Sequence, residues 1–151
     1  MSIDETVISQ KSKIAAKFAV PAAIFAIVGI VDASYLTWKH LKHELVPCSV
    51  VSGCETVLSS AYAEFYGIPL AAFGLAAYVA VFILAISAFS VNRKLWFLFG
   101  AQVCLMTIFT LWLLYLQAFV IHAFCQFCLL SACVTFLLFI IALISKFWRF
   151  R

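Results

Sequence analysis

Long apolar runs broken by short polar ones set the pattern of this chain. From Leu95 to Ser145 there is no Asp, Glu, Lys or Arg. As one helix, those 51 residues would extend roughly 76 Å at about 1.5 Å per residue. A bilayer core is only about 30 Å thick, so the stretch must fold back and cross twice. Two further runs precede it. Phe18 to about Leu36 is apolar except for Asp32 and a few small polar residues, and "PLAAFGLAAYVAVFILAISAF" from Pro69 carries no charge. Pro69 suits a first helical turn, where its missing N–H would be unpaired anyway. The pattern predicts four spans, about 15–37, 69–90, 95–119 and 124–146, with the last turn at His122. The fold class expected is all-α: a four-helix integral membrane bundle forming a single domain over 1–151.

Composition agrees. The chain is 67% hydrophobic and 11% charged, too few charges to cover a soluble domain. Charge also orients it. Lys11, Lys13, Lys17, Arg93, Lys94, Lys146, Arg149 and Arg151 fall on one side of the four spans, and only Lys39 and Lys42 on the other. The positive-inside rule then puts both termini in the cytoplasm, as for a multi-pass protein of a bacterial plasma membrane. Anchoring accounts for the net charge of +4, and no nucleic-acid role is needed. The first span is too long for a signal-peptide core and lacks a small-x-small site before Asp32, so it is expected to remain as an anchor.

The outer loop, about 38–68, carries Cys48 and Cys54. In an oxidising compartment these can pair, either as a static staple or as an exchangeable bridge. Ser52-Gly53-Cys54-Glu55 fits a capping box, and Gly67 with Pro69 reads as a stop. The predicted loop helix runs over about 53–66, with Val57, Ala61 and Phe65 on one stripe and Cys54 in the first turn. There, unpaired N–H groups favour a thiolate. A second pair, Cys125 and Cys128, opens the last span, and i and i+3 share a helix face. Zinc would need four ligands. His40, His43 and His122 have no ligand-like spacing around the cysteines, so the expectation is no metal. His40 and His43 read as interfacial, His122 as a turn residue. Cys104 and Cys133 lie deeper in their spans and read as packing residues.

A dithiol at the lipid–water boundary can meet water-borne thiols on one side and a lipid-soluble oxidant on the other. Four spans, a Cys pair in the first outer loop, a serine six residues beyond the second Cys, and Cys-x-x-Cys opening the last span together resemble the vitamin K epoxide reductase family. "SSAYAEFYGIPLAAFGLAAY" is similar to its bacterial branch. The resemblance implies a bundle around a quinone (menaquinone, ubiquinone or phylloquinone), capped by the loop helix. It also implies a relay: a reduced extracytoplasmic thioredoxin-like (DsbA-like) protein reduces Cys48/Cys54, these reduce Cys125/Cys128, and these reduce the quinone. By analogy Cys48 meets the partner, Cys54 attacks Cys125 and Cys128 faces the ring. Ser60 would hydrogen-bond a quinone oxygen, while Tyr62, Phe65, Phe73 and Phe124 are candidates to pack the ring. Animal members place an Asn and a Tyr where this chain has Leu70 and Ala132, which favours quinone reduction coupled to disulfide formation over epoxide reduction. The chain ends at Arg151, so the thiol partner is expected to be a separate polypeptide. The rival from another class is a non-enzymatic membrane protein with structural disulfides or a bound metal.

Overall fold

The computed structural model describes residues 2–48, 53–87 and 93–150, with side chains over 17–48, 53–87 and 94–146. Ser52 of the capping box and the link between the second and third spans lie outside the described residues. Helix α1 (Ser2–Leu41) leads to the short α2 (Cys54–Leu58) and a two-stranded hairpin, β1 (Glu64–Phe65) and β2 (Ile68–Pro69). Then come α3 (Leu70–Ser87), α4 (Arg93–Tyr115), a π-helical turn (Leu116–Val120) and α5 (Gln126–Phe150). Four segments are long and apolar enough to cross a membrane: Lys17–Leu41, Leu70–Ser87, Lys94–Val120 and Gln126–Lys146. The chain is therefore a multi-pass membrane protein built on a helical bundle, with one small hairpin in its loop.

The four long helices close a ring, with α1 and α4 each packed against both α3 and α5. On α1 the buried positions Ala19, Ala22, Ala26, Gly29, Ala33 and Leu36 alternate at spacings of three and four. That is one face of a helix, and its small side chains let a neighbouring backbone approach closely. Gly29 marks the tightest point, because a Cβ there would overlap the ring of Tyr78 on α3. The dense core lies toward the end of the bundle that carries the termini, where Ala22, Ala26, Ala85, Trp96, Phe99 and Leu138 are buried together. Toward the loop end the same ring opens into a cavity.

The loop departs from the expected helix over 53–66. Helix α2 stops at Leu58 because the next two hydroxyls turn back onto it. Ser59 Oγ donates to the Glu55 carbonyl and Ser60 Oγ to the Val57 carbonyl, each at 2.7 Å. Such local bonds compete with helix continuation. Tyr66 and Gly67 then take φ of 53° and 78°, the left-handed pair that a tight two-residue hairpin turn demands. Gly67 is thus the corner of a hairpin in which Phe65 pairs with Ile68. Of the expected stripe only Val57 is buried, while Ala61 and Phe65 are exposed. His40 Nε2 and Glu64 Oε1, 2.7 Å apart, tie this hairpin to the end of α1. The reversal before α5 falls at the expected place, with His122 at φ 54°.

Candidate functional site

Cys48 and Cys54 form a disulfide with Cα atoms 6.1 Å apart. Cys48 is partly exposed, whereas Cys54 is 1% exposed and sits in a buried cluster with Val57 and Cys125. Cys48, Ile121, Ala123, Phe127 and Cys128 pack around that cluster. Both cysteine pairs thus meet in one apolar knot where α2 rests on the segment leading into α5. Gly53 makes this approach possible. A Cβ on it would stand 2.6 Å from the Phe124 carbonyl oxygen and 2.8 Å from the Phe124 nitrogen.

Cys125 and Cys128 are free thiols. Cys125 precedes the first residue of α5, so the end of a long helix faces it with unpaired N–H groups. Its thiol is held down to about 7 from an ordinary 9.0, chiefly by the hydrogen bond shared with Cys128 and further by the N–H groups of Cys128 and Phe127. Burial acts in the opposite sense. The π-helical turn supplies the remaining support. It turns Gln117 inward, where Oε1 accepts the Cys125 N–H at 3.1 Å and the Gln117 carbonyl accepts the Ala123 N–H at 3.1 Å. Insertions of this kind in a helix often mark functional positions.

The cavity beneath the knot encloses about 710 Å³, within the range of small-molecule sites. Cys128 lines it, and Cys125 does not. Its roof is the hairpin and the turn after α2, with Ser60, Tyr62 and Phe65. Its walls include Leu70, Phe73, Met106, Phe109 and Ala132. Exposed Phe73, Leu105 and Trp112 also belong to the lining, so the cavity reaches the flank of the bundle that lipid would cover. Ser59 opens only onto a separate outer hollow. Phe124 stands outside the cavity, its side chain exposed and its backbone against Gly53. Cys104 and Cys133 are not the packing residues expected, for both are exposed on the outer faces of their helices.

Three polar features of the cavity escaped the reading of the loop and cysteines. Tyr78 is buried, and its hydroxyl is shared with the Ser131 carbonyl (2.9 Å), Ser131 Oγ (2.8 Å) and Thr135 Oγ1 (2.9 Å). Asp32 lines the cavity at 7% exposure. Gln117 lines it from α4's extension. The available signal was depth: Asp32, Tyr78 and Thr135 each lie eight or nine residues from the loop end of their helices, roughly 12–14 Å. Polar side chains recurring at one depth of apolar spans face a common interior.

Largely apolar walls with a few hydroxyl and carboxyl groups suit an apolar ring that bears oxygens, such as a quinone. Among the described residues no group of three His, Cys, Asp or Glu side chains is placed to hold a metal ion. Compared with models of known families, the chain matches the one described as "Vitamin K epoxide reductase family" over residues 20–143.

Proposed function

The chain belongs to the vitamin K epoxide reductase family, and from that premise we propose that it reoxidises an extracytoplasmic thioredoxin-like protein at the expense of a membrane quinone. The kind of activity is that of its family, a membrane thiol–disulfide oxidoreductase and quinone reductase. One observation carries the finer reading. Cys54 and Cys125 share a buried cluster, while Cys48 reaches the surface and Cys128 lines the cavity. That order supports a relay from partner to Cys48, from Cys54 to Cys125, and from Cys128 to the acceptor.

Each transfer is a thiolate attack on a disulfide sulfur through a mixed disulfide. Attack of Cys54 on Cys125 displaces Cys128 from their bridge, and Cys125, with its lowered pKa, is then a good leaving group when Cys48 attacks the Cys54–Cys125 mixed disulfide. The quinone supplies a two-electron sink soluble in the same lipid. Ser60 offers its hydroxyl at the roof, and Tyr62, Phe65 and Phe73 close apolar surface around the ring. Leu70 and Ala132 line the cavity without donors, which supports quinone over epoxide as the substrate. With eight cationic residues at the termini end and two at the loop end, the loop faces away from the cytoplasm.

The test is purified protein mixed with a reduced thioredoxin-like protein and menaquinone, ubiquinone or phylloquinone. Partner oxidation should track quinone reduction one for one, and Cys125→Ser or Cys128→Ser should abolish it. Cys104→Ser and Cys133→Ser should leave it intact. Normal turnover by a Cys128→Ser protein would remove the relay.

A further inference from the structure

Asp32 is a carboxyl group held within a membrane-spanning helix, and such groups are costly to keep there unless they act. It is 7% exposed and lines the cavity. Its Oδ2 is buried with no hydrogen-bond partner. Among the described residues no other cavity-lining side chain has an orphaned buried polar atom. Tyr78, the nearest alternative, has its hydroxyl committed to Ser131 and Thr135. Position matters as much as chemistry. Gly29 abuts the Tyr78 ring, and Asp32 lies on the same face three residues nearer the loop. Counted from the loop ends of their helices, the carboxyl stands at the tyrosine floor, deeper than Cys128, which opens α5. A group bound between Cys128 and the floor would meet it.

We propose that Asp32 is the proton-carrying residue for the deep oxygen of the quinone, a reading that rests on the quinone-reductase function above. Cys125 and Cys128 lose two electrons and two thiol protons as their S–S bond forms, and the quinone gains two electrons and two protons to become quinol. Asp32 gives its proton to the deep oxygen and is restored by the Cys128 thiol proton released into the cavity. The proton of Cys125 leaves by the outer mouth, and the near oxygen takes one from water there, past His40, Glu64 and Ser60. No further oxidant or reductant is required.

The experiment uses the full chain in detergent, with Asp32→Asn, which keeps the shape but cannot carry a proton, and Asp32→Glu, which can. Protein reduced beforehand is mixed with a short-chain menaquinone analogue, and single-turnover quinone reduction is followed. Asp32→Asn should slow it at least tenfold, with substantial recovery in Asp32→Glu. Reduction of the quinone-free protein by its thiol partner should be unchanged in both. A second readout is redox-difference infrared spectroscopy. Wild-type protein should show a carboxylic C=O band that changes when the analogue is added and is absent from Asp32→Asn. If Asp32→Asn fails to fold, the wild-type band decides alone, and its absence overturns the proposal. Wild-type speed in a folded Asp32→Asn protein overturns it while leaving the quinone-reductase reading in place. A wild-type protein that accepts electrons yet reduces no quinone overturns both.

Discussion

Two adjacent serines that share the outer hollow, of which only one also reaches the cavity, give the sharpest test of single side chains. Ser60 lines the cavity, whereas Ser59 opens only to the outer hollow. In each, the hydroxyl is bonded to a carbonyl of α2 at 2.7 Å, so Ser60 must exchange that bond to donate to a quinone. The gain is that of one ordinary hydrogen bond, about 0.5–1.5 kcal/mol. Ser60→Ala should therefore slow quinone reduction roughly two- to tenfold, and Ser59→Ala should leave it unchanged, both read as single-turnover rates. Cys125 offers a second test through pH. A thiol lowered to about 7 becomes thiolate as pH rises through neutrality, well before an ordinary thiol. In the reduced protein, thiolate absorbance should rise near pH 7. Cys128→Ala removes the largest cause of the lowering, so that rise should move toward higher pH. A titration unchanged by Cys128→Ala would mean that the helix end, and not the neighbouring thiol, sets the value.

Among elements, α2 and the segment before α5 matter most, because their contact joins the two cysteine pairs. Gly53→Ala would drive a methyl group into the Phe124 backbone, which cannot rotate away as a side chain can. Relief requires α2 to lift, carrying Cys54 from Cys125. Partner-driven oxidation should fall at least about tenfold, by analogy with overpacking that costs about 1–3 kcal/mol. A small dithiol acting directly on Cys125/Cys128 should still drive quinone reduction, and equal loss in both assays would point to general unfolding. This part of the fold was only half legible. The spans announced themselves through length and absence of charge, a signal summed over some twenty residues each. The loop helix did not hold its expected length. Val57, Ala61 and Phe65 fit a helical stripe, but Tyr66-Gly67 is equally a hairpin corner, and pairing of Phe65 with Ile68 settled the competition. Short segments carry too few residues for periodicity to overrule turn chemistry.

For the whole molecule, the family pattern made the four cysteines readable, since their spacing and place at helix ends are both written in the sequence. The floor of the cavity was not readable that way. Asp32, Tyr78 and Thr135 lie in three different helices, and only the ring closure of the bundle brings them to one depth. A polar residue in an isolated span says nothing about its partners until its neighbours are known. The packing of Ala22, Ala26, Ala85, Trp96, Phe99 and Leu138 toward the termini end has a bioenergetic consequence. Such apolar packing would bar water from passing between the cavity and the termini end, while the polar lining residues His40, Ser60 and Glu64 lie toward the loop. Protons shed by thiols and protons taken up by the acceptor then come from the same aqueous phase, and no charge crosses the bilayer. In sealed proteoliposomes, turnover should neither build a membrane voltage nor slow when an opposing voltage of either sign is imposed. A voltage-sensitive dye that responds to turnover would show that this packing conducts. The enzyme would otherwise oxidise protein thiols as an electrically silent device, indifferent to how well the cell is energised.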